Sequence, residues 1–385
     1  MTNPRSFFKR LRPVEVVGAR WDRSPRWAKA VVIVTGLFLA VVIPGGIPGV
    51  VAPISQYWQS VLFSPVGLFV LLALGLNVVV GQAGLLDLGY VAFYAVGAYT
   101  AAKLTTSAGW SAWEALPMSI LIAMVSGVIL GAPTLRLRGD YLAIVTLGFG
   151  EIVRIIAQNS EPLGQARGIV GIKHPETFGG GNFGLQPLPY YYLTLAAIIL
   201  TVLMMKALTK SRVGRAWVAI REDEDAAQAM GVSTFKMKLW SFTIGASTGG
   251  LAGWLYATRV GFVSPETFTL FVSIFVLSAV VLGGMGSVPG VIAGAFAVGF
   301  LPEYLREAAL GDLITSGLNK VIGSTASDVT EFRVLLFGAA LMIMMIFRPA
   351  GLLPSRRRAA ELASAGPGAA IGGSGEAAPK ESGSD

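Results

Sequence analysis

Four consecutive acids, Glu222, Asp223, Glu224 and Asp225, stand between Arg221 and the pair Ala226-Ala227 in a chain that is otherwise largely apolar. They belong to GRAWVAIREDEDAAQAMGV, residues 214–232, which opens with Gly214-Arg215 and lies between the apolar runs 190–205 and 239–258. Residues 221–230 are predicted to form one short helix, with the acids in its first turns, where negative charge favours the positive end of the helix dipole. Ala226, Ala227 and Met230 fall at i, i+1 and i+4 and give a small apolar face able to enter a groove. Gly231 suits the left-handed closing position, which costs a residue with a Cβ about 1–2 kcal/mol. The chemistry on offer is docking rather than catalysis. The plainer reading is a surface helix joining two spans.

A second candidate lies around GQAGLLDLGYVAFYAVGAYTAA, residues 81–102. Gly81, Gly84 and Gly89 each weaken a helix by about 1 kcal/mol, so this is not a plain span. Broken backbone at membrane depth persists only where protein or a wet cavity surrounds it, and free amides and carbonyls at such breaks can hold charged groups. Asn77, Gly81, Gln82 and Gly84, with Asp87 and Tyr90 beside the break, are therefore candidates to line a translocation path. Close helix packing is the alternative use of the glycines. Glu151 and Arg154, i and i+3 on one helix face, form either a structural pair or a group near a substrate or gate. Asp140 reads as a helix cap. The single histidine, His174, reads as a solvated loop residue. Gly245, Gly249 and Gly253, with Gly250, make a small-residue packing stripe, and GGMGSVPG, residues 283–290, reads as a tight surface turn.

No G-x-x-x-x-G-K-[ST] loop, H-E-x-x-H or G-x-S-x-G occurs, and cysteine is absent, so no Walker A site, thiolate metal site or disulfide is expected. The reading contains no catalytic residue, cofactor or metal.

These residues must be held by membrane-spanning helices. The chain is 54% hydrophobic and 14% charged over 385 residues, where a soluble domain carries about 25% charged residues. Apolar runs of about 17–25 residues, the length that crosses a hydrocarbon core, recur along it. Ten spans are predicted: 28–52, 61–80, 88–106, 116–135, 141–157, 189–208, 239–258, 269–284, 290–310 and 332–347. Of 30 basic residues, eight lie in 1–29, seven in 206–238, two at Arg136 and Arg138 and four in 348–358. These 21 fall on one side of a ten-span arrangement with both termini cytoplasmic, as the positive-inside rule requires. The opposite loops carry Arg167, Lys173, Arg259 and Lys320. The expected organisation is a basic cytoplasmic N-terminal segment (1–29), an all-α membrane domain with broken helices (30–354, its cytoplasmic loop near 209–238) and a disordered tail (355–385). The 158–188 loop either covers an external mouth or merely connects two helices.

Taken in order, GQAGLLDLGYVAFYAVGAY, LRLRGDYLAIVTLGFGEIVR, GRAWVAIREDEDAAQAMGV, GFVSPETFTL, VVLGGMGS and FRPAGLLP resemble the permeases of branched-chain amino acid ABC importers, of the LivM type, over residues 61–354. Asp225-Ala226-Ala227 followed by Gly231 matches that family's Glu-Ala-Ala-x-x-x-Gly signature, with Asp for Glu. The resemblance implies a multispanning subunit of a prokaryotic plasma membrane that pairs with a second homologous permease. Two cytoplasmic ATPases drive the pair through the 214–232 loop, and an extracytoplasmic binding protein delivers leucine, isoleucine or valine. Nucleic acid is not an expected partner. A urea or short-amide importer, and a stand-alone secondary transporter or channel, are the competing readings. Asp87-Leu88-Gly89-Tyr90 looks like the amino-acid branch. Ala166-Arg167-Gly168 departs from the Thr-Gly-Gly common among relatives, and Gly179–Gly181 is a local feature.

Overall fold

The computed structural model describes residues 55–135, 140–177 and 181–307, with positions 40, 42, 44–46, 338, 342 and 351–353 beside them. Apart from those isolated positions, the predicted spans 28–52 and 332–347 lie outside the described residues, as do the basic N-terminal segment, Arg136 and Arg138, the side chain of Asp140 and the tail from 355. What is described is a helical bundle: α1 (Gln56–Gln82), α2 (Val91–Thr106), α3 (Ala112–Thr134), α4 (Asp140–Asn159), α5 (Pro187–Lys210), the short α6 (Arg212–Glu222) and α7 (Glu224–Ala229), α8 (Thr234–Val260), α9 (Leu270–Gly283) and α10 (Val288–Glu307). The only sheet among the described residues pairs β1 (Ile169–Val170) with β2 (Phe262–Val263), antiparallel. By length and composition, α1, α3, α4, α5 and α9 with its preceding turn can cross a membrane, and α10 contains a shorter apolar stretch.

The helix α1 is the axis of the bundle. Of its most apolar 18-residue window 83% is buried, against 22% for α5, whose Leu200 and Leu203 are exposed. An all-round apolar helix belongs in an interior, and its Leu68–Leu76 stretch is that kind. Around it, α8 packs along α2 and α3, and α9 and α10 pack as a pair beside α1. Glycine makes the α8 contacts possible. A Cβ on Gly250 would lie 2.6 Å from both Ala123 Cβ and the Ser119 carbonyl of α3, and one on Gly249 would lie 2.7 Å from Phe93 Cβ of α2. The 245–253 stripe is thus a packing surface, used on two sides.

Candidate functional site

The pair α6–α7 is anchored before it is displayed. Ser211 caps α6, its Oγ accepting the Gly214 N–H at 3.2 Å, and Gly214 is buried against the main chain of Leu208 and Thr209. Trp217 is fully buried, with Nε1 donating to the Met237 carbonyl at 2.7 Å, and Ile220 is buried beside it. Arg215 is exposed and donates to the Lys210 carbonyl at 3.0 Å.

The single helix predicted over 221–230 is two helices. At Asp223 the backbone is extended, with φ −156° and ψ 111°, and Oδ1 accepts the Ala226 N–H at 2.9 Å. An aspartate that satisfies a free amide in this way starts a new helix rather than continuing the old one. Arg221 and Glu222 therefore close α6, and only Glu224 and Asp225 stand in the first turn of α7. Gly231 does close α7 in the left-handed region, at φ 83°, with Val232 N–H donating to the Ala227 carbonyl at 3.0 Å. The apolar face expected of Ala226, Ala227 and Met230 is split. Ala227 is 5% exposed and faces its own bundle, whereas Met230 is 84% exposed. Glu224 is also drawn inward, its Oε1 2.6 Å from Nζ of the buried Lys238 on α8. The outward surface carries Glu222, Asp223, Asp225, Ala226, Met230 and Gly231.

The break in the 81–102 region is where the sequence puts it. The last turn of α1, Asn77–Gln82, widens to π geometry, and the chain runs non-helical from Ala83 to Gly89 before α2. Such turns recur at functional sites because they spoil the regular ladder. Asn77 is fully buried. Its Oδ1 accepts the Gly286 N–H at 2.8 Å, while Nδ2 has no partner. Both amide atoms of the buried Gln82 are likewise unpartnered. Arg221, reaching up from α6, donates from Nη1 to the Gly81 carbonyl. Its stem crosses Gly84, which holds φ 73° and where a Cβ would lie 2.8 Å from Arg221 Cγ.

Asp87 and Tyr90 turn to other neighbours. Asp87 is buried, with Oδ1 accepting the Gly89 N–H at 2.9 Å and Oδ2 without a hydrogen-bond partner, while the next amide, Leu88 N–H, donates to Thr146 Oγ1 of α4 at 3.1 Å. The Tyr90 hydroxyl donates to the Gly245 carbonyl at 2.8 Å and lies 2.7 Å from Thr248 Oγ1 of α8. Val91 N–H donates to Ser273 Oγ of α9 at 3.1 Å. The start of α2 is therefore fastened to α8 and α9, while Gly84 and Leu86 in the broken stretch stay exposed.

Glu151 and Arg154 do pair, with Arg154 Nε 3.1 Å from both carboxylate oxygens. Arg154 Nη1 is also 3.6 Å from Glu266, in the turn before α9. The side chains are 42% and 21% exposed, and the partners seen are each other and that turn, not the break. His174 corrects the sequence reading. It is half-buried, not solvated, with Nδ1 2.8 Å from the Tyr190 hydroxyl and 2.7 Å from the Thr258 carbonyl. A histidine between two helix ends finds partners there that periodicity cannot reveal.

Sequence reasoning missed Lys238, Thr146, Thr248 and Ser273, all on the far side of long-range contacts. It also read 283–290 only as a turn. Gly286, at φ 82°, is a tight turn and at the same time the partner of Asn77.

A family model described as "Branched-chain amino acid transport system / permease component" matches residues 61–345. The high-affinity branched-chain amino acid transport system permease protein LivM of Escherichia coli (strain K12) is 44% identical over 312 residues, covering 75% of this chain and 68% of the relative. Its counterpart in Salmonella typhimurium (strain LT2) is 43% identical over the same shares. The permease protein LivH of the same system in Escherichia coli (strain K12) is 24% identical over 318 residues, covering 77% and 96%. No solved structure matches.

Proposed function

The chain belongs to the permease family of branched-chain amino acid transport systems, and from that premise we propose that it is the LivM-type subunit of an ATP-driven importer of leucine, isoleucine and valine. Membership makes it a non-catalytic transport subunit. It crosses a prokaryotic plasma membrane ten times with both termini inside, forms the path with a second homologous permease, and receives substrate from an external binding protein. Cytoplasmic ATPases dock on 214–232. One observation carries the docking part. The α6–α7 pair is clamped by buried Trp217, Ala227 and Lys238, yet leaves Met230 84% exposed on a rigid turn closed by Gly231. A large apolar side chain held out this way, on a segment that also exposes Glu222, Asp223 and Asp225, is an anchor for a pocket on a partner.

The substrate half of the reading rests on the names of the relatives. Uptake by the full complex reconstituted with its binding protein tests it. Radiolabelled leucine should accumulate with ATP and be competed by valine. Accumulation of urea with no leucine uptake would replace the amino-acid reading by the short-amide one.

A further inference from the structure

Three glycines from two distant stretches line one arginine side chain. Arg221 donates to the Gly81 carbonyl, its stem lies over Gly84, and its Nη1 would sit 3.2 Å from a Cβ placed on Gly286. A Cβ on Gly81 would fall 2.6 Å from the Gly286 amide, and one on Gly286 would be 3.0 Å from the Gly81 carbonyl. A side chain at Gly81 would clash with Asn77 and the Gly286 amide, one at Gly84 would press on the Arg221 stem, and one at Gly286 would be tight against the Gly81 carbonyl and Arg221 Nη1. Gly84 and Gly286 also hold positive φ, at 73° and 82°, so the cradle is shaped by backbone as well as by space. On its other side, Gly286 donates to Asn77 Oδ1, within the same π turn that ends at Gln82. The last turn of α6 thereby touches the last turn of α1 and the α9–α10 turn at one point.

We propose that Arg221 is the positioning residue that transmits movement of the α6–α7 pair to the break at 83–90, with the Gly81–Gly84–Gly286 cradle as its socket. The inference rests on the docking role given above to α7. A rigid helix pair, loaded at Met230 and hinged on Trp217, displaces whatever its inner end grips. Arg221 grips the carbonyl that ends α1. A guanidinium, with a planar fork of donors, keeps direction where a single ammonium would swivel. Asn77 and Gln82, whose buried amides lack full partners, lie in the turn that this displacement moves.

The test uses the reconstituted complex with leucine and reads leucine transported per ATP hydrolysed. Arg221→Met should lower that ratio about tenfold, a size typical of coupling between sites, and Arg221→Lys about threefold. Because the parent chain has no cysteine, Leu86→Cys, in the break and 38% exposed, can carry a nitroxide. Its mobility should change on nucleotide addition in the parent and stay flat with Arg221→Met, which a merely stabilising residue would not produce. If Arg221→Met does not insert, Arg221→Lys carries both readouts. A ratio within about twofold of the parent, with the spectral change intact, would overturn the proposal. Met230→Asp separates this from the docking reading. If it disrupts ATPase action while Arg221 variants couple normally, the link alone is wrong; if it has no effect, docking itself is wrong.

Discussion

The α6–α7 segment and the 160–186 loop both interrupt the apolar runs and both fold back onto the bundle, but their contacts lead to different places. The loop is tied to helix ends. Lys173 donates to the Gly109 carbonyl at 2.6 Å, Trp113 to the Glu176 carbonyl at 2.9 Å, and His174 meets Tyr190 and Thr258. Its strand β1 pairs with β2 just beyond α8, and Phe183 is wedged between the rings of Trp113 and Tyr190. The α6–α7 segment is tied to the opposite end of α8, its first turns, through Met237 and Lys238, but Arg221 continues inward to the broken turn of α1. One segment closes an end of the bundle. The other joins an exposed knob to the interior. Damage to the first should cost local stability, and damage to the second should also cost coupling.

The largest contrast to look for is sidedness. Cysteines at Ser160 and Ser233 should differ completely toward an impermeant thiol reagent in intact cells, with labelling only at 160. Labelling at 233 would break the comparison at its root, because the two segments would not lie on opposite faces. Next in size is Glu224→Gln, which leaves the buried ammonium of Lys238 without its carboxylate. Breaking an enclosed pair costs about 3–5 kcal/mol, and Glu224 is about one-third exposed, so a loss of about 1–2 kcal/mol is expected in thermal unfolding of the purified protein. Adding Lys238→Met should recover part of it. His174→Ala removes one ring hydrogen-bonded to Tyr190 and Thr258 and should cost about 1 kcal/mol while leucine transported per ATP is unchanged. A fall in that ratio would mean the 160–186 loop is coupled too. Smallest is Glu151→Gln. The pair is part-exposed and Arg154 keeps Glu266 at 3.6 Å, so the loss should stay below about 1 kcal/mol with substrate preference unaltered. Altered preference in a stable Glu151→Gln protein would move that pair into the path.

Much of the scaffold is legible in the sequence because apolar length and glycine punctuation are local signals. The described helices begin and end within a few residues of the apolar runs, and the break after Gln82 follows from Gly81 and Gly84. The closing turn at Gly231 is legible for the same reason, since one residue's φ decides it. The division of α6 from α7 was open to the sequence in principle, because Asp223 is a good cap. It competes with Asp225, an equally good cap two residues on, and only the Ala226 amide chooses between them. Contacts such as Arg221 with Gly81, separated by 140 residues, leave no local trace. Nor does the inward turn of Ala227, which reverses the reading of the apolar face. Charge to be docked and charge to be buried look alike until Lys238 is seen beside Glu224.

The central claim is that 214–232 is the element through which ATP hydrolysis in partner subunits drives this permease, and Met230→Asp tests it most directly. The side chain is 84% exposed and touches little of its own chain, so the change should leave insertion and thermal stability as they are. Substrate-stimulated ATP hydrolysis should be measured in the reconstituted complex, with leucine and its binding protein present. Stimulation should be lost or the ATPases should dissociate, because a carboxylate replaces an apolar anchor in a desolvated pocket. Full stimulation and normal uptake by a stably inserted Met230→Asp permease would contradict it.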